Sequence, residues 1–169
     1  MNDLDPIIAR LQNLHPFNIY QVSPATGEVA PWFEVTGGIV QDLVLRDDRL
    51  HEQVQTIAAQ VMHWGRLAAQ AKRVWEITER HYRIWRDRTV LTLLDPATKP
   101  ADWKKPTEKQ VDGTIRILPE YTTHYQDQER AEEAYNAAMA ILDGFRAKRD
   151  MIKAAVQRAT EGSAPRLAV

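Results

Sequence analysis

The sequence predicts an all-α protein: a long antiparallel helical hairpin with oligomeric, coiled-coil-like packing. A short helix is expected in the connection, and an irregular or small-hairpin arm at the N-terminus. Three observations carry this. Mostly apolar residues recur in alternating steps of four and three through Leu43, Asp47, Leu50, Val54, Ile57, Val61, Trp64, Ala68, Ala71, Trp75, Thr78, Tyr82, Trp85 and Thr89, the a/d spacing of a coiled coil. A second seam runs through Tyr121, Ala131, Tyr135, Ala138, Leu142, Phe145, Ile152 and Val156. Between them, DPATKPADWKKP holds three prolines in twelve residues, and proline cannot continue a helical hydrogen-bond ladder.

The chain divides into residues 1–36, an N-terminal helix and aromatic arm; 37–160, the helical hairpin; and 161–169, a tail expected to fray. Residues 3–14 suit a short amphipathic helix, with Pro6 in its first turn and Ile7, Ile8, Leu11 and Leu14 on one face. Residues 16–37 differ in kind. Phe17, Ile19, Tyr20, Val22, Val29, Trp32, Phe33 and Val35 are interleaved with Pro24, Gly27 and Pro31, and SPATGE reads as a turn. A small hairpin and an arm wrapping a neighbour both fit. Either way the aromatics need a surface to lie on, because an isolated two-stranded hairpin is marginal in water.

The long helix is expected to begin between positions 36 and 42 and to end near Leu94, a rod of roughly 80 Å at about 1.5 Å per residue. Asp95-Pro96 stops it, since the residue before proline is pushed out of the α region. Asp47-Asp48, flanked by Arg46 and Arg49, reads as a solvated charged turn of that helix. After the linker, Thr107 with Gln110 forms a Thr-x-x-Gln capping box that opens a short helix. Pro119-Glu120 suits the first turn of the final helix, which should run to about Thr160.

Composition limits the chemistry. Of 169 residues 44% are apolar, enough for a sizeable core, and 27% are charged, which implies much exposed helix surface. The absence of cysteine excludes disulfides, thiolate metal sites and a cysteine nucleophile. The start MNDLDPIIAR carries no secretory pattern, and no apolar run approaches the roughly 20 residues of a membrane span. A soluble, cytoplasmic protein without membrane contact is expected. The five histidines lack the spacing of a helical metal pair, no glycine-rich phosphate loop is present, and no nucleophile–base–orienter set can be assembled. The expectation is therefore no enzyme, no metal and no cofactor.

The net charge of −1 conceals a division. Residues 1–62 hold three Lys/Arg against eight Asp/Glu, whereas residues 63–109 hold eleven against six. In that basic middle Arg66, Arg73 and Arg80 repeat every seven residues and so share one line along the helix. Lys72, Arg83, Arg86 and Arg88 flank or extend it, and Lys99, Lys104, Lys105 and Lys109 carry the basic character into and past the linker. Cations of this kind neutralise phosphates, and the interleaved Trp75, His81, Tyr82 and Trp85 offer rings to unpaired bases. The plainer reading puts Trp75, Tyr82 and Trp85 in the core, because they lie on the seam. It also has Glu76 and Glu79 pairing with Arg80 and Arg83 at the i,i+4 spacing.

This order of elements resembles the UvsY-like recombination mediators of phages. A seamed helix ends in a basic, aromatic segment. A proline-bounded loop, the capped helix KPTEKQVDGTIR and a last helix opening on Pro119-Glu120-Tyr121 and carrying AEEAYNAAMAILDGFRAKRDMIKAA then follow. The resemblance covers residues 37–158 and rests on pattern and element order. It implies a small, mostly helical protein that assembles into a ring-like homo-oligomer in the cytoplasm of a bacterial host. Such a protein binds single-stranded DNA and helps a RecA-like recombinase load onto DNA occupied by single-strand-binding protein, with no catalysis of its own. Arg80 and Arg83 best match the family's DNA-contacting positions, with Arg73 and Arg86 next. Arg66, Lys104 and Lys105 complete the candidate DNA-binding set. Leu43, Leu50, Val54, Ile57, Val61, Trp64 and Trp75 are the candidate oligomer interface, since a two-helix hairpin leaves apolar surface to cover. The competing expectation is a helical interaction module that touches no DNA: an adaptor, an assembly chaperone or an inhibitor of a host factor. A solvent-facing arginine line favours the first reading; arginines saturated by acidic neighbours favour the second.

Overall fold

A computed structural model describes residues 9, 11–12, 16–36, 38–101, 103 and 105–162. Two long helices dominate it: α2 (Leu50–Leu94) and α4 (Pro119–Gly162). They run antiparallel, as the ring contacts between them show: Trp64 lies on Phe145, Trp75 on Tyr135 and Trp85 on His124. Small residues fill the space between these aromatic rungs. Ala68 and Ala71 of α2 and Ala131, Ala134, Ala137 and Ala138 of α4 are all buried. Alanine lets the helices approach closely, and the large rings then occupy the layers between.

The N-terminal arm is a β-hairpin, and it lies on the helices. β1 (Phe17–Val22) pairs antiparallel with β2 (Val29–Val35). β1 packs against both α2 and α4 and β2 lies on its outer side. Ile19 and Val35 join one core with Leu67, Ile141 and Phe145, which answers the requirement that a two-stranded sheet rest on something. At the tip Gly27 adopts φ +75°, where a side chain is strained, and its N–H donates to the Ser23 carbonyl at 2.9 Å. A Cβ at Gly27 would stand 3.7 Å from the His81 ring, so the tip touches α2. The register slips between Ile19, opposite Phe33, and Tyr20, opposite Pro31, leaving Trp32 as the extra residue of a β-bulge.

The long helix differs from expectation at its start. Helix α1 (Ile39–Leu43) ends where Val44 turns extended at ψ 128°, a 3-10 turn covers 47–49, and only then does α2 begin. The rod is accordingly shorter, about 68 Å for its 45 residues. Gln53 holds the break: its Nε2 donates to the Val44 carbonyl and its Oε1 accepts from the Arg46 N–H, each at 3.3 Å. Leu43, fully buried, is drawn into the core with α4, and the buried Lys148 fixes α1 there by donating from Nζ to the Asp42 carbonyl. Asp47-Asp48 is therefore the acidic approach to a helix N-terminus, where negative charge meets the positive end of the helix dipole, and not a turn within a helix.

The remaining elements follow the sequence closely. α2 ends at Leu94, and Asp95, before Pro96, is extended at ψ 125°. Helix α3 (Glu108–Arg116) opens on the expected capping box: the Thr107 side chain accepts from the Gln110 N–H at 3.3 Å and the Gln110 Oε1 accepts from the Thr107 N–H at 2.9 Å. Trp103 anchors the linker by burying itself with Val111 and Ile115 against Trp85, Val90, Leu93 and Tyr121. α4 starts at Pro119, as its fixed φ favours. Of the segment 3–14, Ala9, Leu11 and Gln12 are helical and Leu11 is buried; the rest of that expected helix, and residues 163–169 of the tail, lie outside the described residues.

Beside α3, His124 shows a titration built into the hairpin end. Its ring lies 5.0 Å from that of Trp85, and burial lowers its pKa below the usual 6.5, against the opposing pull of Asp127 and Glu120. Between the lowered folded value and 6.5 the unfolded chain binds more protons, so stability rises with pH through that window and is complete above it. The unfolding temperature should therefore fall between about pH 7.5 and 5.5 more steeply in the parent than in a His124→Asn variant. Parallel pH profiles for the two proteins would assign the acid sensitivity to other groups.

Candidate nucleic-acid interface

The basic middle of the chain lies on α2, whose inner face is fixed by Trp64, Leu67, Ala68, Ala71, Val74 and Thr78. Arg66, Arg73 and Arg80 emerge on the far side of the helix and are all exposed. Successive members are two turns apart, about 10 Å along the axis. None of the three forms an ion pair among the described residues. The rows beside the line are internally neutralised: Lys72 pairs with Glu76 at 3.7 Å and Arg83 with Glu79. Glu79 thus takes the partner that its spacing suggests, whereas Glu76 turns back to Lys72 and leaves Arg80 unpaired.

Two members of the candidate set are engaged elsewhere. Arg83 donates to Glu79. Arg86 donates to Asp112 at 2.9 Å, a contact that ties α2 to α3 and holds the guanidinium protonated above its ordinary value. The separation of 26 positions between Arg86 and Asp112 hid this pair from any reading of local spacing. Arg88 and Lys105 are exposed, and Lys104 lies outside the described residues. Phosphate contact is thus most open to Arg66, Arg73 and Arg80, with Arg88 and Lys105 nearer the turn of the hairpin.

The aromatic residues interleaved with the arginines face inward. Trp75 stacks on Tyr135 with centroids 5.5 Å apart and planes 12° from parallel; Tyr82 meets Tyr121 edge-on; Trp85 lies on His124. The Trp75 Nε1 is buried without a hydrogen-bond partner among the described residues, a cost that the stacking on Tyr135 has to offset. These rings are half-buried and pack between the helices. Exposed rings occur instead on β2, where Trp32 is 52% exposed and Phe33 37%, and at Tyr125 of α4, 46% exposed. The signal in the sequence was Pro31, which cannot donate to a ladder and marks an edge strand or a bulge.

The candidate oligomer residues are also largely spoken for within one chain. Leu43, Ile57 and Trp64 are buried in the hairpin's own core. Leu50 and Val61 are half-buried against it and Trp75 is half-buried on Tyr135. Only Val54, 42% exposed, offers substantial apolar surface outward. Further open apolar surface lies at Val44 and Met62 and, toward the turn, at Ile84, Leu91, Leu94 and Ile117, with Leu91 69% and Ile117 80% exposed. Ile84 and Leu91 lie on nearly the same line of α2 as the three arginines, so one face of the rod passes from basic to apolar.

No group of three or more His, Asp or Glu side chains that could hold a metal ion occurs among the described residues. No helix among them is long and apolar enough to cross a membrane. No family model, curated protein or solved structure matches the chain.

Proposed function

We propose that the protein is a non-enzymatic recombination mediator. It binds single-stranded DNA as an oligomer in the cytoplasm of a bacterial host and assists loading of a RecA-like recombinase onto DNA occupied by single-strand-binding protein. The observation that carries the DNA-binding part is the line of Arg66, Arg73 and Arg80, exposed on the outer face of α2 and free of acidic partners among the described residues. Unpaired cations at regular spacing on a rigid rod attract a polyanion without reading its sequence. The recombinase and the single-strand-binding protein enter through the resemblance to the UvsY-like mediators. Oligomer formation is supported by the exposed apolar residues toward the turn, Ile84, Leu91, Leu94 and Ile117, which a second copy can cover.

Those exposed residues also favour a second reading, an adaptor that grips another protein through the turn end of the hairpin and uses no DNA. One assay separates them. A RecA-type recombinase is mixed with single-stranded DNA precoated with single-strand-binding protein, and its DNA-dependent ATP hydrolysis is followed. Adding the protein should shorten the lag before hydrolysis. If the lag stays unchanged while the protein binds DNA, the mediator role is lost and a DNA-binding role stands. If the protein leaves both DNA and lag untouched, the adaptor takes its place.

A further inference from the structure

We propose that Trp32 and Phe33, with His63 against Phe33, form a stacking platform for unpaired bases at the head of the Arg66–Arg73–Arg80 line. This rests on the single-stranded DNA reading and supplies what that line lacks. Arginines that touch phosphates hold single and double strands alike; a platform for base faces engages only a strand whose bases are not already stacked in a duplex.

The geometry is specific. The β-bulge releases Trp32 from pairing and re-aims its ring. The ring stands 6.4 Å from that of Phe33, tilted 50°, and Phe33 meets His63 edge-on at 6.1 Å. Phe33 is half of a cross-strand pair with the fully buried Ile19, which fixes the strand beneath it, yet its own ring stays 37% open. Arg66 follows His63 by one helical turn, about 5 Å along the axis, so a base on the platform places the adjoining phosphates within reach of the arginine line. The hairpin lies along the same flank of α2, with Phe33 at His63 and Gly27 at His81, and so keeps the platform and the line side by side.

Charge decides between a nucleic acid and a protein as occupant. Toward the C-terminal end of α2 the residues on this side are Arg66, Gln70 and Arg73, polar or cationic, although Met62, next to His63, is also 57% exposed. Glu34 alternates to the other face of the strand from Phe33. Exposed rings beside unpaired guanidinium groups make up the combination that single-strand binders use.

The test compares the full chain's affinity for oligo(dT) with that for an abasic deoxyribose-phosphate oligomer of equal length and charge. The parent should prefer the base-bearing strand by roughly tenfold or more. A Trp32→Ala/Phe33→Ala variant should lose that preference and keep its affinity for the abasic strand. A Trp32→Phe variant guards against a folding defect: it should keep the preference while losing most of the tryptophan quenching that oligo(dT) causes. A parent that binds both strands equally overturns the platform and leaves the DNA-binding reading intact, whereas a parent that binds neither at low salt removes both. A double variant that retains the preference overturns the platform too, and if it also assembles less, the rings belong to a contact between subunits.

Discussion

Replacing Arg66, Arg73 and Arg80 together with Gln should reduce affinity for single-stranded DNA at least tenfold at low salt and flatten its salt dependence. Each phosphate contact on a single strand contributes about −0.7 to the slope of log K against log salt. Losing three per chain should therefore make that slope shallower by about 2. The loss should be the same for every base composition, because phosphates carry no sequence information. Stability should change by no more than about 0.5 kcal/mol per site, since these side chains are exposed and unpaired. Arg83→Gln is the natural control: its guanidinium is already held by Glu79, so its effect on affinity should be much smaller. Equal losses from both variants would spread the DNA surface over the whole basic segment.

The largest effect on stability is expected at Phe145. Its ring is 2% exposed and stacks on Trp64 with centroids 6.3 Å apart. It is the rung where α2, α4 and the hairpin share one core with Ile19 and Leu67. Phe145→Ala should cost about 3–5 kcal/mol, the transfer of the ring plus the cavity it leaves. At 2–4 °C per kcal/mol for a chain of this size, the unfolding temperature should fall by roughly 10 °C. Val156, farther along the same seam but 39% exposed, should tolerate Ala within about 1 kcal/mol. Similar costs at the two positions would mean that a neighbouring subunit covers Val156.

Much of the fold was legible because local chemistry and global topology agree. Thr107 and Gln110 cap a helix through contacts three residues apart, and Asp95-Pro96 and Pro119 mark helix ends through backbone geometry alone. The seam assigned Trp64, Ala68, Ala71 and Thr78 to the interior, where they are buried. It also assigned Trp75, Tyr82 and Trp85, half-buried in the structure, to packing. Periodicity failed at 44–49 because the heptad count runs on through a break held by Gln53 and Lys148, residues 9 and 106 positions from their partners. Leu67 is buried although it is off the seam, because the N-terminal hairpin brings Ile19 and Val35 to the same core.

The arginine line was legible as a repeat of seven, but its exposure was not. Which of seven candidate cations are free depends on Asp112, brought to Arg86 by the fold of the linker, and on whether Glu76 turns to Lys72 or to Arg80. Spacing permits both pairings of Glu76. The aromatic platform was hidden for a similar reason. Trp32 and Phe33 read as apolar residues in search of a core, and only the bulge opposite Ile19 and Tyr20 leaves their rings at the surface.

The central claim is that this hairpin carries an electrostatic surface for single-stranded nucleic acid. The most direct measurement is the equilibrium affinity of the full chain for a labelled single-stranded oligonucleotide, followed from low to physiological salt beside a duplex of equal length. The account predicts binding at low salt that weakens linearly in log–log form, with tighter binding to the single strand throughout. No binding at low salt, or an affinity indifferent to salt, would contradict it.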